Sequence, residues 1–265
     1  MLVTTEIEGG IATVTLNRPD KKNAMSLELL EAVAEACASV KAAESVRAVI
    51  LTGAGGVFSA GIDLTLMMSF AQQLDKIKGQ MAETDATGAN MFQAPITCWA
   101  GLDVPVIAAL DGICFGAGMQ LALGADFRVA APDTRMSIME AKWGLVPDMG
   151  ITQSLPKLMP ADRAKMLIMT GREFTGAEAL EMGLVTELAE DPLGRARELA
   201  QLLAQKSPDA LAASKKLVED CWGSGGADAL KLEADLQAAL MGAPNQMEAV
   251  MANMQKRPPK FGNAH

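Results

Sequence analysis

Two apolar runs, each closed by a glycine-bearing bend, constrain this chain most. Arg47-Ala-Val-Ile-Leu-Thr52 runs into Gly53-Ala54-Gly55-Gly56, and Pro105-Val-Ile-Ala-Ala-Leu110 ends in Asp111-Gly112. Neither run alternates polar with apolar. A strand of that kind is buried on both faces, as in a parallel sheet covered by helices. Just beyond the second run, Gly116-Ala117-Gly118 opens an apolar helix from Met119 to Gly124.

The rest of the chain fits that frame. Val3 to Ile7 and Ile11 to Leu16 flank Gly9-Gly10 and read as a hairpin. Ser26 is placed to cap a helix whose Leu27, Leu30, Ala34 and Cys37 share one face. Residues 66–100 are rich in Met and Gln and have helical character, while Phe127 to Ala130 and Met136 to Met139 read as short strands. Asp63 is expected to cap a helix starting at Leu64, and Asp126 to be structural. After about residue 150 the chain turns helical. Thr175 to Glu178 forms a capping box, and Asp191-Pro192 and Ser207-Pro208 each set a cap before a first-turn proline. Three helical candidates follow at 208–222, 227–241 and 245–256. The expected fold is α/β with parallel strands, then a helical C-terminal third.

Composition removes several functions. The chain has 265 residues, half of them hydrophobic, enough to bury about three quarters of its unfolded surface without metal or disulfide staples. The balance of 23 basic against 32 acidic residues, net −9, argues against nucleic acid or an anionic membrane as partner. The single histidine is His265, so histidine-based triads, proton shuttles and metal sites are disfavoured, and no metal is expected. Cys37, Cys98, Cys114 and Cys221 show no CxxC pairing and read as buried hydrophobes in a reducing compartment, the cytoplasm. No apolar run approaches the length of a membrane span. Gly53-Ala-Gly55 opens like a dinucleotide fingerprint but meets Phe58 at its last position, and no Walker lysine follows.

The chemistry-bearing residues fall in three places. Phe58-Ser59-Ala60-Gly61-Ile62-Asp63 and Asp111 to Gly118 are small-residue loops that expose backbone N–H groups and admit close approach of a ligand. Two such N–H groups converging on one oxygen make an oxyanion hole, and losing one donor typically costs about 2.7–4 kcal/mol of transition-state stabilisation. Gln120 lies in the same helix opening; it can orient a water or a substrate but cannot exchange a proton. Glu140 and Asp148, eight residues apart, lie in a loop shaped by Gly144, Pro147 and Gly150 and flanked by Ile138, Met139, Trp143, Leu145, Val146, Met149 and Ile151. Carboxylates among apolar neighbours have raised pKa values, which suits proton transfer near neutral pH. The alternatives are that Glu140 pairs with Lys142 or Arg135, and that Asp148 caps the following helix.

In chain order, Asn17-Arg18-Pro19 with Asn23-Ala24-Met25, Phe58 to Asp63, Pro105 to Ala109 with Gly112, Gly116 and Gly118, Ala125-Asp126, Glu140 to Gly150 and Ala177 to Leu184 resemble the crotonase superfamily, the enoyl-CoA hydratase/isomerase family. The resemblance spans nearly the whole chain. It implies a crotonase-like spiral of ββα units over residues 1–200 and a helical trimerisation region over 201–265, assembled as a homotrimer or dimer of trimers. It also implies an acyl-CoA substrate and no separate cofactor, coenzyme A being part of the substrate. The family's two oxyanion donors map to the N–H groups of Ala60 and Ala117, with Gly61, Ile62, Gly116 and Gly118 lining the substrate. The second glutamate of the family's hydratases maps to Glu140. The first maps to Gln120, which breaks the glutamate pair that ionises water. Asp148 stands where hydratases usually carry glycine and some dienoyl-CoA isomerases carry a catalytic aspartate.

Among local cations, Arg18, Lys21 and Lys22 lie near the first motif. Lys256 matches the family's adenine-end lysine, although Asn253 replaces the aromatic before it. The expected activity is double-bond migration by carboxylate proton transfer. Hydration of a 2-enoyl-CoA is the alternative, and a catalytically degraded coenzyme A binder is a second one. A serine peptidase on a related spiral is disfavoured by the lack of an internal histidine.

Overall fold

The computed structural model describes residues 1–70, 73–223 and 226–264, with only the backbone of Ser69 and Phe70. His265, two residues of the Met- and Gln-rich segment and the middle of the Gly223–Gly226 spacer lie outside the described residues.

The two apolar runs form the middle of a six-stranded sheet. Its strands are β1 (Val3–Glu8), β2 (Ile11–Leu16), β3 (Ala48–Gly53), β4 (Val106–Leu110), β6 (Phe127–Ala130) and β9 (Glu187–Leu188), in that spatial order. β1 and β2 pair antiparallel through the Gly9-Gly10 turn, and every other pairing in this sheet is parallel. The absence of alternation in β3 and β4 now has its cause. Val49, Leu51, Val106, Ala108 and Leu110 face the main core, which includes Leu29, Leu30, Val33 and Cys37 of helix Leu27–Ala42. Ala48, Ile50, Ile107 and Ala109 face a second core closed by Ala196 and Ala200 of helix Pro192–Ala204. Both faces are dry, so both parities are apolar.

A second sheet holds β5 (Ile113–Phe115), β7 (Arg135–Ser137) and β8 (Phe174–Thr175), with β5 parallel to β7 and β7 antiparallel to β8. The sequence placed Ile113 to Phe115 in a loop. Three residues are too few to show a period, and their pairing comes from tertiary contact.

The caps form as expected. Ser26 accepts from the Leu29 N–H, Thr175 and Glu178 complete a capping box, and Asp191 and Ser207 cap their helices. Asp63 accepts the Thr65 N–H at the head of helix Leu64–Phe70. Asp126 is structural: it accepts the Val106 N–H and pairs with Lys215 at 2.9 Å. The Met- and Gln-rich segment is helical only in pieces, Leu64–Phe70, Leu74–Ala82 and Ala94–Thr97. Helices Pro208–Cys221, Ala227–Leu240 and Pro244–Met254 make up the helical C-terminal region. The expected boundary at residue 200 falls within helix Pro192–Ala204, which the sheet claims as part of its second layer. Among the described residues no helix is long and apolar enough to cross a membrane.

Candidate active site

The site is assembled where three backbone segments lock together. Loop 58–63 is held on one side by residues 22–25: Met25 N–H donates to the Gly61 carbonyl at 2.7 Å, and Asp63 N–H donates to the Met25 carbonyl at 2.9 Å. On its other side Ser59 bridges to β5, donating to the Ile113 carbonyl and accepting from the Phe115 N–H. β5 is then tied to β7 by Gly116 N–H on the Ser137 carbonyl at 3.0 Å. The first loop, the start of helix Ala117–Leu123 and the residues after β7 therefore meet at one point.

Glycine makes that meeting possible. Gly61 has φ +90, and a Cβ there would stand 2.8 Å from the Phe115 carbonyl oxygen and 3.6 Å from the Ala117 nitrogen. Ala117, the first residue of its helix, has no N–H acceptor inside that helix. The Ala60 N–H behaves differently. It already donates to the Lys22 carbonyl at 2.9 Å, which makes it the bonded member of the expected pair of donors.

Three of the chemistry-bearing side chains gather beside this point. Gln120, only 2 % exposed, accepts the Met149 N–H through Oε1 at 2.8 Å. That acceptor role turns its Nε2 toward Glu140, where it donates to Oε1 at 2.8 Å. Glu140 Oε1 lies 3.5 Å from where a Cβ on Gly116 would sit, so the carboxylate adjoins the meeting of the loops. Its other oxygen, Oε2, is buried without a hydrogen-bond partner among the described residues. Burial raises the Glu140 pKa above the ordinary glutamate range. Hydrogen bonds from its own backbone and from Gln120 oppose the rise, and the nearby charge of Asp148 adds to it. Burial raises the Asp148 pKa as well.

Several alternatives drawn from the sequence fall away. Arg135 pairs with Glu173 at 2.5 Å, and Lys142 lies over the Trp143 ring, so neither neutralises Glu140. Asp148 does not cap helix Ile151–Ser154, which starts from Gly150 without a side-chain cap. The apolar shield is also smaller than expected. Ile138, Met149 and Ile151 are buried, but Trp143, Leu145 and Val146, on either side of the left-handed Gly144, are exposed. Arg18 is no free cation: it pairs with Asp63 at 2.5 Å and donates to the Ala24 carbonyl. Lys22 and Lys256 are exposed, both with left-handed backbone.

Reasoning from sequence missed Asn23. It is fully buried; Oδ1 accepts the Arg18 N–H, and Nδ2 donates to the Ala54 and Val57 carbonyls. Its own carbonyl accepts the Ser59 hydroxyl at 2.8 Å. One side chain thus anchors the 18–25 turn to the first site loop. In the sequence, Asn23 figures only within the stretch Asn23-Ala24-Met25 that carries the family resemblance, without a role of its own.

The sequence profile described as "Enoyl-CoA hydratase/isomerase" matches residues 6–264. The chain belongs to the enoyl-CoA hydratase/isomerase family. It is an enzyme of the hydratase/isomerase type acting on coenzyme A thioesters. It is 34% identical over 260 residues to the bovine mitochondrial enoyl-CoA hydratase domain-containing protein 2, covering 95% of this chain and 84% of that one. It is 39% identical over 212 residues to the carnitinyl-CoA dehydratase of Salmonella enteritidis, covering 79% and 77%. Its backbone superposes on an enoyl-CoA hydratase from Bacillus anthracis with TM-score 0.89 at 29% identity, covering 98% of this chain and 99% of that one. An enoyl-CoA hydratase from Polaromonas sp. JS666 gives 0.87 at 29% identity with the same coverage. The architecture of this family member is therefore the crotonase spiral with its helical C-terminal region.

Proposed function

We propose that this enzyme moves a carbon–carbon double bond in an enoyl-CoA by proton transfer through Glu140. The observation that carries the reading is the state of Gln120. Both ends of its amide are committed, one to Glu140 and one to the Met149 N–H. Ionising a water between two side chains needs two groups that can trade protons, and an amide cannot trade one. Glu140 keeps one oxygen free of partners, and its raised pKa suits a base that takes a proton from one carbon and returns it to another.

In this mechanism the thioester oxygen lies between the Ala117 and Ala60 N–H groups. As the α- or γ-proton leaves for Glu140 Oε2, the carbonyl π-system takes up the electron pair and the oxygen becomes an enolate. The two amides stabilise that charge because they are already fixed by the strands around them. Ala117 donates directly, while the Ala60 N–H must exchange its Lys22 acceptor for the substrate. Glu140 then returns the proton at the other end of the allyl system. The dry wall at Ile138, Met149 and Ile151 keeps the carboxylate from relaxing into water. Gly61, Ile62 and Gly116 border the thioester, Gly118 lets the helix start pack closely on Ser59, and Lys22 and Lys256 offer cations to the coenzyme phosphates. No separate cofactor enters.

Hydration is the second reading. It is favoured by the closeness of Asp148, whose charge raises the Glu140 pKa and which offers a second acid where Gln120 cannot serve. We also propose a homotrimer or dimer of trimers assembled through the region after residue 200, where Trp222, Leu230, Met241 and Met254 stand exposed. The deciding experiment mixes enzyme with 2-enoyl-CoA or 3-enoyl-CoA in heavy water and follows products by NMR. Migration with deuterium incorporation and no 3-hydroxyacyl product supports the first reading. A 3-hydroxyacyl product replaces it with the second. Binding without exchange or turnover would refute both.

A further inference from the structure

The loop that carries Asp148 is held by a second amide, on the side away from Gln120. Gln93 Nε2 donates to the Asp148 carbonyl at 3.1 Å, and Gln120 Oε1 accepts the Met149 N–H at 2.8 Å. That carbonyl and that N–H belong to one peptide unit, a rigid plane whose two polar ends point opposite ways. A glutamine therefore grips each end, and the plane cannot turn without breaking a hydrogen bond.

Gln93 is itself fixed. Its Oε1 accepts the Asn90 N–H at 3.0 Å, while Asn90 Oδ1 accepts the Gln93 N–H at 3.1 Å. This reciprocal pair, three residues apart, has the pattern of a capping box. With Oε1 committed to Asn90, the NH₂ end of the amide is the one that faces Asp148. Asn90 is buried, and its Nδ2 donates to the Met81 carbonyl at 3.2 Å. The residues after Gln93 lie tightly on the same loop: a Cβ on Gly150 would stand 2.5 Å from Thr97 Cγ2. A chain of hydrogen bonds thus runs from Asn90 through Gln93, the Asp148–Met149 peptide and Gln120 to Glu140, the last link being 2.8 Å.

We propose that Gln93 is a positioning residue for proton transfer: by holding the Asp148–Met149 peptide it fixes the Gln120 amide, and through that amide the direction of the Glu140 carboxylate. This role rests on the proposed part of Glu140 in proton transfer and is the same for migration and hydration. Without the Gln93 donor the peptide plane is free to turn, and the Met149 N–H swings off Gln120. The released amide can then present Oε1 to the carboxylate, acceptor against acceptor, and Glu140 loses its aim. A reacting group misplaced by about 1 Å can cost about a hundredfold in rate.

The test measures kcat and KM by NMR, with 2-enoyl-CoA or 3-enoyl-CoA, for the full-length wild type, Gln93→Met, Gln120→Met, the double variant and Glu140→Gln. Methionine keeps the reach of the side chain and brings no amide. Gln93→Met should lower kcat by about tenfold to a hundredfold, with KM within about twofold of wild type. The double variant should fall no further than Gln120→Met alone, because both substitutions cut the same chain. A merely structural role would add its loss to that of Gln120→Met, or raise KM and leave kcat alone. Full kcat in Gln93→Met or in Gln120→Met, or an additive loss in the double variant, would overturn the proposal. Should Gln93→Met fail to fold, Gln93→Glu takes its place. It keeps an acceptor for Asn90 and, ionised above neutral pH, has no proton for the Asp148 carbonyl, so the same loss of kcat is expected. Glu140→Gln tells the two failures apart. Full turnover in that variant, or none of either thioester in wild type, removes the proposed function and this role together. An inactive Glu140→Gln beside full turnover in Gln93→Met removes the positioning role alone.

Discussion

Replacing Glu140 by glutamine separates chemistry from folding at this site. The variant keeps an oxygen to accept from Gln120 Nε2, so the 2.8 Å contact survives. It loses the only proton acceptor assigned to the reaction. A positioned general base contributes about 10²–10⁴-fold, equivalent to about 3–5 kcal/mol of barrier, and the turnover number should fall by that factor with substrate affinity little changed. Stability should move the other way. The Glu140 pKa is raised by burial in the folded state, so the folded carboxylate is held protonated to higher pH than the unfolded one. No penalty exists below the unfolded pKa. Stability is lost as pH rises through the folded pKa, because the unfolded chain then releases its proton more readily. Glutamine removes that loss, so the variant should match wild type at acidic pH and be the more stable of the two above the carboxylate's raised range. Deuterium wash-in from heavy water, followed by NMR, reads the chemistry, and urea melts at pH 4 and pH 8 read the fold. Turnover within about tenfold of wild type would refute Glu140 as the base. A variant that lost activity and stability together would show that the carboxylate is structural.

Gln120→Glu restores a second acid beside Glu140. The ratio of 3-hydroxyacyl product to migrated double bond should rise at least about tenfold in the NMR assay, and no rise would count against the role given to the amide. Asp148→Asn removes a charge that raises the Glu140 pKa, so the acidic limb of kcat/KM against pH should move to lower pH; if isomerisation is the reaction, turnover stays within about tenfold of wild type. Gly118→Ala places a Cβ 2.6 Å from Ser59 Cβ and 3.1 Å from its carbonyl oxygen. Overpacking there should cost about 1–3 kcal/mol in a denaturant melt and lower kcat by parting the two site loops.

How much of this was legible in the sequence depends on the range of the forces involved. β3 and β4 could be read because burial on both faces leaves a local mark, an unbroken apolar run. The caps at Ser26, Thr175, Asp191 and Ser207 could be read because a cap acts within four residues. β5 could not, since three residues gain strand geometry only by pairing with Arg135–Ser137 and with Ser59. Exposure of Trp143, Leu145 and Val146 was equally hidden. The stretch is broken by the left-handed Gly144, φ +71, and a glycine in a sequence does not declare its sign of φ.

The site shows the same division with one further step. The sequence put Gln120, Glu140 and Asp148 within thirty residues of one another, but the amide's direction is dictated by the Met149 N–H, a backbone group without a sequence signature. Ala60 makes the point more sharply. Its N–H is held by the Lys22 carbonyl, and Lys22 and Asn23 take φ values of 51 and 52, a strained pair for residues with a Cβ. That strain is sustained by the buried Asn23 amide, with its bonds to Arg18, Ala54 and Val57. The N–H proposed as the first oxyanion donor is therefore positioned by a turn almost forty residues upstream. Its availability to a thioester depends on how readily the carbonyl of that turn yields, a property set by tertiary hydrogen bonds that no local motif encodes.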